Sequence, residues 1–169
     1  MSTIGVAIAV PEPWGGYLEQ RRHEFGDPLA GSIPAHVTLV PPTKVDAAQA
    51  ALDRHLSAVA GAQQPFGIRL RGTATFRPVT PVVFISVTEG ISSCEVLASA
   101  LRSGPLDQAL SFPYHPHVTV AHHLSEDALD NAYQRLADFD CAFDVTAIHA
   151  YQHGSDGVWR PVATFGLGG

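Results

Sequence analysis

His36 and His117 are the residues whose type and setting most suit them to chemistry. Each opens the same short pattern, with a threonine two positions later. The two segments read Ile33-Pro34-Ala35-His36-Val37-Thr38-Leu39-Val40 and Tyr114-His115-Pro116-His117-Val118-Thr119-Val120-Ala121. Side chains on a strand alternate between faces, so His36 and Thr38 share a face with roughly 7 Å between their Cα atoms, and Val37 and Leu39 point the other way. The same holds for His117 and Thr119 against Val118 and Val120. Two imidazoles and two hydroxyls around one centre suit the cleavage of a phosphodiester by water. One imidazole takes a proton from the water and the other gives one to the leaving oxygen. Histidine suits both tasks because its unperturbed pKa lies near about 6.5. The threonine hydroxyls of Thr38 and Thr119 can donate to the non-bridging phosphate oxygens. One such motif is an ordinary strand histidine beside an ordinary strand threonine. Two matched copies, each embedded in apolar residues, argue for a catalytic pair.

The remaining candidates are weaker. His115 shares a face with His117, and His-x-His is metal-ligand spacing on a strand, but no Asp, Glu or Cys lies in these two strands to complete a site. His115 is expected behind His117 or on the cleft rim, and no metal or other cofactor is expected. Arg77, Lys44 and Arg160 are candidate phosphate contacts. Surface charge explains each of them equally well, and Arg77 rises above that level only because it sits between Phe76 and Pro78. Trp14, Tyr151 and Trp159 could stack on a base, yet none needs a function to account for it. His149, Tyr151 and His153 share a strand face, and His122-His123 reads as a solvated pair at a strand end. Neither a phosphate-cradling Walker loop nor a zinc-peptidase motif is present.

Such a site needs elements to hold it, and the sequence supplies them twice. An apolar strand at Gly5–Val10 leads to a helix opened by Pro11 and Pro13, with Trp14, Tyr17, Leu18, Arg21 and Phe25 at helical spacing. A strand over Ile33–Val40 is expected to stop at Pro41-Pro42. Asp46 is the expected cap of a second helix striped by Leu52, Leu56 and Val59 and ended by Gly61. A strand follows from Phe66, continuing past Gly72 toward Phe76. The second round runs through a strand at Val82–Val87 and a helix capped by Ser92 and Glu95, with Val96, Leu97, Ala100 and Leu101 expected inside. Then come a strand at His115–Ala121 and a helix capped by Ser125 and striped by Leu129, Ala132, Tyr133 and Leu136. Two strands, near Cys141–Tyr151 and Val158–Phe165, close the chain around the turn Gly154-Ser155-Asp156-Gly157. The two histidines lie about half a chain apart. The order implies an internal duplication, its boundary near 78–82, within a single domain over 1–169.

The bulk numbers set limits. The chain has 169 residues, 46% apolar and 15% charged, so a packed globule is expected rather than disorder. No apolar run approaches a membrane span, and the first apolar segment reads as a strand rather than a signal peptide. Cys94 and Cys141 lie far apart and in no metal spacing, which suits reduced thiols in the cytoplasm. A net charge of −6 argues against broad binding to long nucleic acid duplexes, though a local pocket can still hold one phosphate.

Paired His-x-Thr motifs at this interval resemble those of the 2H phosphoesterase superfamily, and within it the bacterial LigT-like "2′-5′ RNA ligase" group, also called RNA 2′,3′-cyclic phosphodiesterases. The resemblance spans nearly the whole chain, including Phe76-Arg77-Pro78 before the mid-chain strand and the final strand near Phe165. It implies an α+β, bilobal fold of two pseudo-symmetric lobes, each a mainly antiparallel sheet with outer helices, around a central cleft. It implies catalysis by His36 and His117, with His36 as acid and His117 as base, and phosphate binding by Thr38 and Thr119. The implied substrate is a 2′,3′-cyclic phosphate or 2′-5′ linkage on RNA ends or a small nucleotide, opened without a metal by a monomer; run in reverse, the same chemistry ligates. Members of that group often carry an arginine just after the second motif, where this chain has His122-His123, and that favours a small nucleotide over long RNA. The alternatives are a module that binds nucleotide or RNA ends without turnover, and a metal-dependent hydrolase built on His115 and His117.

Overall fold

Residues 2–168 are described by a computed structural model. The elements run β1 (Ser2–Ala9), α1 (Trp14–Glu24), β2 (His36–Val45), α2 (Gln49–Ala62), β3 (Phe66–Thr75), β4 (Val82–Glu89), α3 (Ile91–Leu101), a short 3₁₀ turn (Gly104–Leu106), β5 (His117–His122), α4 (Glu126–Arg135), β6 (Asp140–Val145), β7 (Ala147–His153) and β8 (Trp159–Gly166). The strands form two antiparallel sheets, ordered β2-β1-β7-β8 and β5-β4-β3-β6. The fold is therefore α+β and bilobal. Each histidine motif lies on an edge strand of its sheet, and β2 and β5 face each other where the lobes meet.

Alternation explains which face each strand buries. Ile4, Val6 and Ile8 of β1 and Val83, Ile85 and Val87 of β4 point into a core that runs through both lobes. Helices α2 and α3 cover the first sheet, and α1 and α4 cover the second. Helix α1 thus follows a strand of one lobe and packs on β5 of the other. Gly15 permits the start of this helix, because a Cβ there would meet the Val10 carbonyl oxygen at 2.4 Å.

Several boundaries differ from the sequence expectation. Strand β2 does not stop at Pro41-Pro42 but runs to Val45, where Thr43, Lys44 and Val45 pair with Ile4, Thr3 and Ser2. A proline is tolerated there because β2 is an edge strand and its outward N–H groups have no ladder partner to lose. The expected Cys141–Tyr151 strand is two strands, β6 and β7, and the chain changes sheet between them. Helix α2 begins after Ala48 rather than at Asp46 and passes Gly61. Helix α3 begins after Gly90, whose positive φ of 95° suits glycine, so Ser92 lies inside the helix and makes no cap. Val96 and Ala100 face outward, and Cys94, Leu97, Ala98 and Leu101 form the buried face. On α1 the buried positions are Gly15, Leu18 and Arg22, and Tyr17 is exposed. Ser125 does cap α4, its hydroxyl accepting from the Ala128 N–H at 3.2 Å.

Candidate functional site

The motif strands share a local deformation. Between Val6 and Ala7 of β1 the partner on β2 jumps from Val40 to Thr38, so Leu39 is an extra residue. Between Val83 and Phe84 of β4 the partner on β5 jumps from Ala121 to Thr119, so Val120 is extra. Each is a β-bulge one position after the motif threonine. A bulge breaks alternation, and two consecutive residues are buried in each strand, Leu39-Val40 and Val120-Ala121. On the other face His36 and Thr38, like His117 and Thr119, are half-buried. After the bulge, His122 returns to the face of His117 and Thr119.

Both histidines are held by the same bond. His36 Nδ1 lies 2.6 Å from the Pro34 carbonyl oxygen, and His117 Nδ1 lies 2.7 Å from that of His115. A carbonyl oxygen can only accept, so Nδ1 carries the proton in each ring and Nε2 is left for a reactant. The residue two positions upstream therefore fixes the tautomer and the ring together. The proximity of the two rings is felt electrostatically, since the charge on His117 opposes protonation of His36. The hydroxyls of Thr38 and Thr119 make no hydrogen bond to another described residue. Tyr114 joins the strands by donating its hydroxyl to the Thr38 carbonyl at 2.8 Å.

The surroundings of the two rings differ. His36 lies against Trp159, with centroids 4.9 Å apart and planes 34° from parallel. Trp159 reaches it across β1 over Gly5, where a Cβ would stand 3.4 Å from the indole. Burial pushes the His36 pKa down to about 4, with smaller contributions from Arg22 and His117 against a raising bond to Pro34. His117 meets Phe76 at right angles and Phe84 at a tilt of 59°, with centroids 5.0 and 5.1 Å away, and the His115 ring at 5.5 Å. Its pKa is also lowered, first by burial.

The other candidates fall in different places. His115 packs its ring on Phe76 and Phe84 and lends its carbonyl to His117. Arg77 is drawn away from the motifs, its Nη1 donating to Asp130 at 2.8 Å and to Glu126 at 3.1 Å on α4. Arg160 pairs with Asp156 across the last turn, and Lys44 is exposed near the far end of β2. Trp14 packs on the main core; Tyr151 and Trp159 form a second cluster with Ala7. His149 is bonded through Nδ1 to the Thr164 hydroxyl at 3.0 Å. Among the described residues no group of three or more His, Cys, Asp or Glu side chains is placed to hold a metal ion. The contacts of Tyr114 and Phe84 and the charge of Arg22 have no counterpart among the sequence expectations. The sequence signal for Tyr114 was its place three residues before His117; the others carried none.

The profile of the 2′-5′ RNA ligase superfamily matches residues 10–157, which include both motifs. The chain belongs to the 2′-5′ RNA ligase superfamily. Its relatives in this superfamily include a protein of Halalkalibacterium halodurans named as a phosphoesterase, 26% identical over 167 residues, covering 97% of this chain and 96% of that one. Another, from Bacillus licheniformis and likewise named, is 28% identical over 145 residues, covering 84% and 85%. Among solved structures, E. coli LigT complexed with 3′-AMP matches with a TM-score of 0.64 at 19% identity, covering 98% of each chain. TT0787 of Thermus thermophilus matches with a TM-score of 0.64 at 20% identity, covering 99% and 98%. This superfamily member thus has the bilobal LigT-like fold. Among its described residues no helix is long and apolar enough to cross a membrane.

Proposed function

We propose that this protein is a phosphodiesterase that hydrolyses a 2′,3′-cyclic phosphate, or a 2′-5′ phosphodiester, of RNA ends or small nucleotides by two-histidine acid–base catalysis. The observation that carries the reading is the matched pair of Nδ1–carbonyl bonds, which leaves the Nε2 atoms of His36 and His117 free on facing edge strands. Water attacks phosphorus, one Nε2 takes its proton, the P–O bond to the ribose breaks, and the other Nε2 protonates the departing oxygen. The free hydroxyls of Thr38 and Thr119 donate to the non-bridging oxygens as charge builds there. The difference in burial favours roles opposite to those the resemblance implies. His36, held near a pKa of about 4 by burial, serves as the neutral base in the resting enzyme, and His117, whose pKa burial also lowers, serves as the acid. No step in this scheme requires a metal. Run backwards, the same steps join ends into a 2′-5′ linkage. The co-crystallised ligands of LigT, which include 3′-AMP, ATP and phosphate, support a small nucleotide as the ligand class.

The test is turnover of 2′,3′-cyclic AMP, and of a short RNA ending in a 2′,3′-cyclic phosphate, in the presence of EDTA. The wild type is expected to turn over, with His36→Ala and His117→Ala each slower by about 10²- to 10⁴-fold. A folded wild type that leaves both substrates intact sinks the reading.

A further inference from the structure

Arg22 and Asp27 are two of the few buried polar side chains among the described residues, and they are paired. Arg22 lies in the last turn of α1, which packs on β5. Its Nε donates to Asp27 Oδ2 at 2.7 Å. The same oxygen accepts from the backbone N–H of His122 at 3.0 Å, and Oδ1 accepts from that of Leu29 at 2.8 Å. The guanidinium is therefore pinned to the end of the strand that carries His117 and Thr119. Its charge opposes protonation of both His36 and His122.

Most of this guanidinium is unused. Of its five N–H donors, only the one on Nε has a partner among the described residues, and both Nη groups are without one. A second unpartnered group stands on the same strand end: His122 Nε2 is buried with no hydrogen bond. The bulge at Val120 turns His122 to the face of His117 and Thr119. The other arginines considered for phosphate are engaged elsewhere, Arg77 by α4 and Arg160 by Asp156. The Arg22 Nη atoms have no protein partner and are not sealed from solvent, so they are open to an anion, and the planar fork fits two oxygens of one phosphate.

We propose that Arg22 is the cationic anchor of the cleft, its two Nη groups holding non-bridging oxygens of the substrate phosphate and Asp27 fixing its orientation. This deepens the phosphodiesterase reading, on which it rests, by giving the site a permanent positive charge in a chain of net charge −6. The bland alternative is an ion pair whose only task is to tie α1 to β5.

The two are separated by calorimetric titration of inorganic phosphate and 3′-AMP into the wild type, Arg22→Lys and the double variant Arg22→Gln/Asp27→Asn. The double variant exchanges the ion pair for neutral amides, and its one amide oxygen at position 27 accepts from only one of the Leu29 and His122 N–H groups, where the carboxylate accepts from both. Affinity is expected to fall about 10- to 100-fold in the double variant and less in Arg22→Lys. Wild-type affinity in a folded double variant overturns the proposal. If that variant does not fold, nitrogen-15 NMR of arginine-labelled wild type decides: the Arg22 Nη signals, assigned with Arg22→Lys, shift on adding phosphate, and unmoved signals overturn it. Arg22-dependent binding by a wild type that turns over no cyclic phosphate keeps the anchor and sinks the phosphodiesterase reading. A wild type that binds neither probe overturns the anchor, and the phosphodiesterase reading is then decided by turnover alone.

Discussion

The His36 and His117 sites are built alike in backbone and unlike in side chains. Each has the same burial rhythm, a bulge after its threonine, and an Nδ1 bond to the carbonyl two residues upstream. Around that shared frame, His36 lies against one indole, whereas His117 is flanked by two phenylalanine rings and a third histidine. What is common aims the Nε2 atoms; what differs sets how readily each takes a proton. A two-histidine mechanism needs one neutral and one protonated ring, so identical surroundings would work against it.

The sharpest way to break the comparison is to ask which ring is the acid. An activated leaving group, such as p-nitrophenolate in a nucleoside 3′-phosphodiester, departs without protonation. Under the roles proposed here, the loss of about 10²- to 10⁴-fold in His117→Ala shrinks strongly on that substrate, and the loss in His36→Ala persists. The reverse pattern in steady-state kinetics would hand the roles back to the order implied by family resemblance.

Trp159→Ala should be the most damaging change to the frame of one site alone. Loss of this buried ring is expected to cost about 3–5 kcal/mol by denaturant melt. It also admits water to His36, so the His36 pKa, read by NMR titration, should rise toward the ordinary value while that of His117 stays. Movement of both together would show that the two environments are not independent.

Acid sensitivity comes next. A group whose folded pKa is depressed binds fewer protons folded than unfolded, so its contribution is lost as pH falls. For His36 that loss runs from about 6.5 down to about 4 and is on the order of 2–3 kcal/mol. The melting temperature of wild type should drop across this window, and that of His36→Gln should drop less. For the same reason kcat/KM should peak on the acid side of 6.5, because both histidines are lowered in the free enzyme. A peak above pH 7.5 would contradict the burial argument.

Tyr114→Phe should have the smallest effect. It removes one hydrogen bond between the motif strands, worth about 1 kcal/mol, and leaves both Nδ1 bonds in place. A large loss of kcat with little loss of stability would mean that the spacing of β2 and β5 is finely held by this contact.

The catalytic core of this reading was legible in the sequence because it is local. A strand period of two places His36 with Thr38 and His117 with Thr119, and apolar neighbours mark the buried face. The bulges have a sequence signal too, because the consecutive apolar pairs Leu39-Val40 and Val120-Ala121 break strand alternation. What was hidden depends on distance in sequence. Trp159 reaches His36 only because β7 and β8 join β1, and Arg22 is buried only because α1 crosses to the other lobe. An arginine on a helix reads as a solvated charge, and nothing near it announced that Asp27 would be buried alongside. Pro41-Pro42 misled for a similar reason, since whether a proline ends a strand depends on whether that strand lies at an edge.

The sheet orders carry a consequence for how the molecule is assembled in time. The sheet holding His117 is drawn from one unbroken stretch, β3 through β6, whereas the sheet holding His36 takes β1 and β2 from one side of that stretch and β7 and β8 from the other. As a chain emerges from the ribosome, the His117 sheet has all its strands while the His36 sheet is still missing half of its own. The base in this scheme and the indole it lies against come together only after β8 has been made, so a nascent chain passes most of its synthesis with a hydrolytic centre that is not yet assembled.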